Sequence, residues 1–295
     1  MLKLTRPEGS EPRDFDLSRR ALPGLFFAGY AAAAVSAKAE PIRTDLDGLV
    51  AETVMIPAGD RDIPAYVARP DGRGRRPVVV VVSEVFGIHE YIRDTCRRLA
   101  KLGYVAIAPD FFVRHGDPAP LVDFTQIRNI VAAASDAQVM GDIKATVDWL
   151  ADQAFVNKRK QAVTGFCWGG AQVWLACQRF RAFRCGVAWY GRLSRPAAGQ
   201  FLSEPERQWP LELAGSLKSP VLGLYGGKDQ GIPLADVEAM RSALRATRKT
   251  GSDLIVYPDA QHGFHADYRA SYDAAAAQDG WRKMIDYFHR YGVTP

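Results

Sequence analysis

Ala162-Val163-Thr164-Gly165-Phe166-Cys167-Trp168-Gly169-Gly170 is the stretch that decides the fold. A short β segment runs into a glycine-flanked cysteine, and from Trp168 to Phe180 the apolar residues recur at helical spacing. A strand that bends at once into a helix with a nucleophile at the bend has the G-x-S-x-G form, here with cysteine in the serine position. Glycines at 165 and 169 fit that bend, because strand and helix press close on either side of it and larger side chains would clash. The helix start also puts Cys167 where the helix dipole favours a thiolate.

Upstream, Pro77 to Ser83 carries five valines in a row, the unbroken apolar run expected of a strand buried on both faces. Thr53 to Ile56 and Ile63 to Ala68 read as short β segments around the turn Gly59-Asp60-Arg61-Asp62. Helical spacing over Tyr91 to Leu102 and Asp136 to Leu150 brackets a short strand at Tyr104 to Ala108. Downstream, Cys185 to Tyr190, Val221 to Tyr225 and Asp253 to Tyr257 read as strands, with helices over Leu234 to Thr247 and Tyr272 to Tyr291. This alternation predicts the α/β class, with a mostly parallel central sheet covered by helices on both faces and active groups at strand C-terminal ends. Arg114 to Ser135 and Arg192 to Ser219 are too long for simple connections and are expected to wall or cover a pocket.

A nucleophile on such a sheet needs an acid and a histidine later in the chain, each following its own strand. Val221 to Tyr225 leads into Gly226-Gly227-Lys228-Asp229, and Leu254 to Tyr257 leads into Pro258-Asp259-Ala260-Gln261-His262-Gly263-Phe264. Cys167, Asp229 and His262 therefore stand in the order nucleophile, acid, base. Asp259 and His265 are local competitors; His265 lacks the following glycine and is read as a helix-start or pocket residue. His89, His115 and His289 have no acid in the matching order, and Asp236 falls inside a predicted helix.

These residues together resemble the dienelactone hydrolase (carboxymethylenebutenolidase) family of α/β-hydrolases, from about Glu52 to the C-terminus. The marks are Gly165 to Gly170, Gly226 to Asp229, Ala260 to Phe264, and Ser83-Glu84-Val85-Phe86-Gly87-Ile88 leading to Ile92-Arg93-Asp94. The resemblance implies an ester or lactone hydrolase in which Glu84 contacts the resting thiol and helps generate the thiolate. It also implies an oxyanion hole made by the backbone N–H groups of Val85 and Trp168, in agreement with the elbow geometry. The family's substrate-holding arginine four residues after the histidine is here Ala266; Arg269 lies three further on, and Arg128 loosely matches the other arginine. Phe86, Trp168, Trp189 and Tyr190 are read as candidate walls of an apolar pocket.

The residues alone leave open a general carboxylesterase, thioesterase or peptidase on the same fold, and a non-catalytic small-molecule-binding homologue. Neither a metal nor an organic cofactor is expected, and the oligomeric state is not legible. The chain has 295 residues, 47% of them hydrophobic and 24% charged, which suits one large domain over residues 40–295. Its net charge of +5 is scattered among acids, against a phosphate-tracking nucleic-acid binder. Cys96, Cys167, Cys177 and Cys185 lack zinc-site spacing; a Cys177 to Cys185 bridge is conceivable only for an exported protein.

Residues 1–39 have the layout of a signal peptide. Ser18-Arg19-Arg20-Ala21-Leu22 precedes Phe26, Phe27, Tyr30 and the alanine run 31–34, and Ala37-Lys38-Ala39 offers a cleavage site. The paired arginines resemble a twin-arginine signal, which implies a periplasmic protein, with a cytoplasmic one as the alternative. A thiol in that compartment is expected to be recessed. The apolar stretch is too short for a stable membrane span.

Overall fold

The structure, a computed structural model, describes residues 41–295. The leader assigned to residues 1–39 lies outside the described residues. Among the described residues eight strands form one sheet: β1 (Leu49–Pro57), β2 (Asp62–Pro70), β3 (Arg76–Val82), β4 (Val105–Pro109), β5 (Val156–Phe166), β6 (Cys185–Trp189), β7 (Val221–Gly226) and β8 (Asp253–Tyr257). Their spatial order is β1-β2-β4-β3-β5-β6-β7-β8. β1 and β2 form an antiparallel hairpin and β2 runs antiparallel to β4, whereas β3 through β8 are mutually parallel.

The valine run at 78–82 is completely buried in β3, as a strand with helices on both its faces must be. The helices are α1 (Glu90–Lys101), α2 (Phe124–Ala133), α3 (Asp136–Ala151), α4 (Trp168–Arg179), α5 (Leu234–Ala246) and α6 (Ala274–Arg290). Side chains alternate along β6 and so assign helices to faces. At Gly186 a Cβ would meet Cys177 and Val173 of α4, while the Trp189 ring packs against Gly280 of α6 on the opposite side.

Two segments between the regular units stand over the sheet's C-terminal rim. The first, read as irregular, contains α2, whose start is capped by Asp123 accepting from Thr125 N at 2.8 Å. The second, residues 192–219, is held to the first by Arg207. That guanidinium donates to the carbonyls of Ala132 (2.5 Å) and Ala134 (3.2 Å) at the end of α2, and pairs with Asp136 (3.3 Å) and Glu204 (2.7 Å). Arg207 thus satisfies carbonyls that a helix end leaves without intrahelical partners. No described helix is long and apolar enough to cross a membrane.

Candidate active site

Cys167 sits between β5 and α4 with φ 56° and ψ −117°, a left-handed conformation that is costly for a residue with a Cβ. The surrounding structure holds it there. Cys167 N donates to Trp189 O (3.0 Å), and the first turn of α4 closes on the Cys167 carbonyl through Gly170 N (3.0 Å). The flanking glycines are required sterically. A Cβ on Gly165 would lie 2.6 Å from Gly169 O, and one on Gly169 would lie 2.3 Å from Val82 O. Cys167 is 6% exposed, at the base of a cavity.

The acid and histidine loops are locked to one another. Gly227 N donates to Tyr257 O (2.7 Å) and Lys228 N to Ala260 O (2.9 Å), a contact so close that a Cβ on Gly226 would stand 2.5 Å from Ala260 O. Asp229, buried, accepts from Gly231 N on Oδ1 (2.8 Å) and from His262 Nδ1 on Oδ2 (2.7 Å). Burial works against an imidazolium at His262. The charges of Asp229 and Cys167, with hydrogen bonds to both, outweigh it and hold the pKa up at about 10. His262 and Cys167 line the same cavity.

His265 is a core residue. It is 3% exposed, its Nδ1 is 2.6 Å from the Tyr91 hydroxyl, and its ring stacks on Phe166 and Trp281. Burial pushes its pKa down to about 3, so it is neutral. Asp259 is exposed and pairs with Lys228 (2.7 Å).

Glu84 follows β3 and is fully buried. Its Oε1 accepts from Arg269 Nη2 (3.0 Å), its Oε2 accepts from Tyr268 OH (2.6 Å), and His89 Nε2 lies 3.4 Å from Oε2. Burial alone would favour the neutral acid, but Arg269, His89 and Tyr268 hold its pKa down at about 2. Arg269 also feels the charge of Cys167, which places the Glu84–Arg269 pair in electrostatic range of the thiol. Nothing in the sequence singles out Tyr268, and His89 is set aside there for want of an acid in the matching order; the one signal is the arginine three residues past Ala266.

The cavity is about 280 Å³, and Val85, Cys167, Trp168, Tyr190 and His262 are among the residues that line it. Phe124 and residues from 192–209 form its outer wall, the two segments singled out by their length. Tyr190 lines it, while Trp189 belongs to the core, its indole N–H donating to Thr164 Oγ1 (3.2 Å). Phe86 and Arg128 are outside the lining. The Arg269 guanidinium covers the Phe86 ring (5.1 Å), and the Arg128 guanidinium covers the Phe201 ring (5.1 Å). Ala266 is completely buried. Cys177 and Cys185 are buried and unbridged, their thiol pKa values driven up by burial. Among the described residues no cluster of His, Cys, Asp or Glu is arranged to hold a metal.

Strand order, elbow and the three loops at one sheet rim define an α/β-hydrolase. The profile of the dienelactone hydrolase family matches residues 63–292, and the chain belongs to that family. It is 46% identical over 281 residues to a Methylorubrum extorquens protein named "Putative carboxymethylenebutenolidase", covering 94% of each chain. A Bradyrhizobium protein named "Probable 2-oxo-3-(5-oxofuran-2-ylidene)propanoate lactonase" is 32% identical over 223 residues, covering 76% of this chain and 87% of the relative. Among solved structures, a Klebsiella pneumoniae protein described as a "Putative Dienelactone Hydrolase" superposes with a TM-score of 0.76 at 42% identity, covering 82% of this chain and 99% of that one. The protein is a dienelactone hydrolase-like hydrolase.

Proposed function

We propose that the protein hydrolyses a carboxylic ester or lactone by covalent catalysis, with Cys167 as nucleophile, His262 as acid and base, and Asp229 as the group that orients the imidazole. The observation that carries this reading is the 2.7 Å contact of His262 Nδ1 with Asp229, on an imidazole electrostatically coupled to Cys167 at the foot of a cavity. With Nδ1 committed to Asp229, Nε2 is the atom that exchanges protons.

The Cys167 thiolate adds to the carbonyl carbon, forming a C–S bond and moving an electron pair onto the carbonyl oxygen. The amide N–H groups of Val85 and Trp168 receive that oxyanion; Trp168 N opens α4, where helix geometry supplies no acceptor for it. Collapse breaks the C–O bond, and the His262 Nε2 proton passes to the leaving alkoxide, which in a lactone stays tethered to the acyl group. His262 then takes a proton from water, hydroxide adds to the thioester, and C–S cleavage returns the thiolate and releases the acid. Glu84 keeps its charge throughout, paired to Arg269.

The name of the Bradyrhizobium relative suggests lactones as the first compounds to try. Wild type and Cys167→Ala are compared on a panel of butenolides and aryl esters. Wild type is expected to turn over at least one, with an acyl mass adduct on the peptide holding Cys167 after rapid quenching. Cys167→Ala is expected to lose about 10³-fold or more; equal turnover by both proteins would end the mechanism. Export through the leader is a companion proposal, tested by sequencing the N-terminus of the protein recovered from the periplasm.

A further inference from the structure

The cavity wall is largely apolar but not blank. Trp209, from the 192–219 segment, and Gln172, from α4, both line it and are at least nine-tenths buried. Among the described residues, the Trp209 indole N–H and the Gln172 side-chain carbonyl oxygen have no hydrogen-bond partner. One is a donor only and the other an acceptor only. Folded proteins rarely leave such atoms unpaired, and where both belong to the wall of one cavity a ligand is the natural partner.

Their placement is fixed by the fold. Gln178 Nε2 donates to the Pro210 carbonyl (2.8 Å), docking the segment on α4 beside Trp209. Gln172, Leu175 and Gln178 recur every three residues along that helix and share a face. Of the charged groups in the cavity wall, Asp136 takes Arg207 (3.3 Å) and Gln208 N (2.6 Å), and Arg192 donates to the carbonyls of Ser194 (3.1 Å) and Gly231 (3.5 Å). A carboxylate only accepts and would serve Trp209 alone, and an ammonium only donates and would serve Gln172 alone; a neutral hydroxyl, which both gives and takes a hydrogen bond, serves both. Leu175, Leu202, Phe124 and Phe201 supply apolar surface around it.

We propose that Gln172 and Trp209 form a specificity subsite for a hydroxyl group on the substrate, the hydroxyl accepting from Trp209 Nε1 and donating to Gln172 Oε1. The preferred ester or lactone is therefore neutral at this end, with an aryl or alkyl body carrying an alcohol or phenol remote from the scissile carbonyl. This deepens the ester-hydrolase reading and rests on it for the turnover measurement alone.

The test compares 4-nitrophenyl esters of 3-phenylpropanoic acid with its 3-hydroxyphenyl, 4-hydroxyphenyl, 4-methoxyphenyl and 4-carboxyphenyl counterparts. In wild type, kcat/KM for the better hydroxyphenyl ester is expected to exceed that for the phenyl ester by about 10- to 100-fold, with the methoxy and carboxy esters below it. Trp209→Phe, which keeps the ring and removes the N–H, and Gln172→Met, which keeps the length and removes the carbonyl, should each collapse that ratio. Kd ratios for the same esters, measured calorimetrically on Cys167→Ala, need no chemistry. A hydroxyl preference there, lost in Cys167→Ala/Trp209→Phe, supports the subsite even if the covalent mechanism fails. Equal kcat/KM and equal Kd for phenyl and hydroxyphenyl esters, a preference for the carboxylate, or a hydroxyl preference that survives both substitutions would overturn it.

Discussion

Arg269 donates to Glu84 across 185 residues of chain, and both side chains are essentially sealed from solvent, 1% and 0% exposed. Such a pair is costly to bury and costlier to break, because either partner left alone is an uncompensated charge in a low-dielectric interior. It joins the loop after β3, which carries Val85, to the segment after the histidine loop, and so fixes two sides of the cavity relative to each other. Next to it, Arg98 pairs with both Asp94 of α1 and Asp267, extending the same cross-link.

Glu84→Gln should therefore destabilise the fold by about 3–5 kcal/mol by stranding Arg269. The Glu84 carboxyl titrates near 4.5 when unfolded and near 2 when folded, so on acidification the unfolded chain takes the proton first. Its contribution is complete above pH 4.5 and drains away as pH falls toward 2. Chemical unfolding across that range should show a shallower pH slope for Glu84→Gln than for wild type. Parallel slopes would mean that Glu84 is not held as a buried carboxylate.

His265 titrates in a different window. Its folded pKa of about 3 lies below the ordinary 6.5, because the folded protein buries the neutral ring. The stability this represents is whole above pH 6.5 and is lost as pH falls from there toward 3. His265→Phe should lower overall stability, since Tyr91 loses its partner, yet flatten the dependence between pH 6.5 and 4.5, above the Glu84 window. An unchanged slope in that interval would show that the imidazole is protonated in the native state.

Two glycine-to-alanine changes should act in opposite directions. At Gly169 the added methyl meets Val82 O at 2.3 Å and Ser83 O at 2.5 Å, both backbone atoms that cannot turn aside. Gly169→Ala is expected to cost about 3 kcal/mol or more and to displace Cys167. Gly141 is exposed in α3, where an added methyl would have no neighbour within 4 Å, and it should gain about 0.5–1 kcal/mol as alanine. Thermal unfolding of the two variants beside wild type checks both signs.

Asp229→Asn removes the carboxylate that, after the opposing effect of burial, does most to hold the His262 imidazolium at a pKa of about 10. The His262 pKa should fall, seen by NMR titration of the ring in the resting enzyme. Turnover should drop about 10²- to 10⁴-fold, with KM changing far less than kcat. An imidazole pKa that stays near 10 in this variant would place the controlling charge elsewhere.

The strand–helix alternation, the elbow at Cys167 and the order Cys167, Asp229, His262 were legible because they are local: each depends on a few adjacent residues and their turn chemistry. The polar Asn157-Lys158-Arg159-Lys160 hid the first half of β5, since strand periodicity is visible only where one face is buried, and this segment extends past the core. Helix α2 was hidden for a related reason. It buries only Ile127 and Val131, too few apolar positions to show a period.

Sequence by itself therefore determined the class of the sheet, the family and the strand-end loops that carry Cys167, Asp229 and His262. Tertiary structure decided which histidine meets the acid, which arginine seals Glu84, and that Tyr190 rather than Phe86 faces the cavity. Those outcomes depend on contacts between residues tens to hundreds of positions apart, whose geometry is set by strand order and by backbone approaches of glycine loops. No spacing along the chain encodes them.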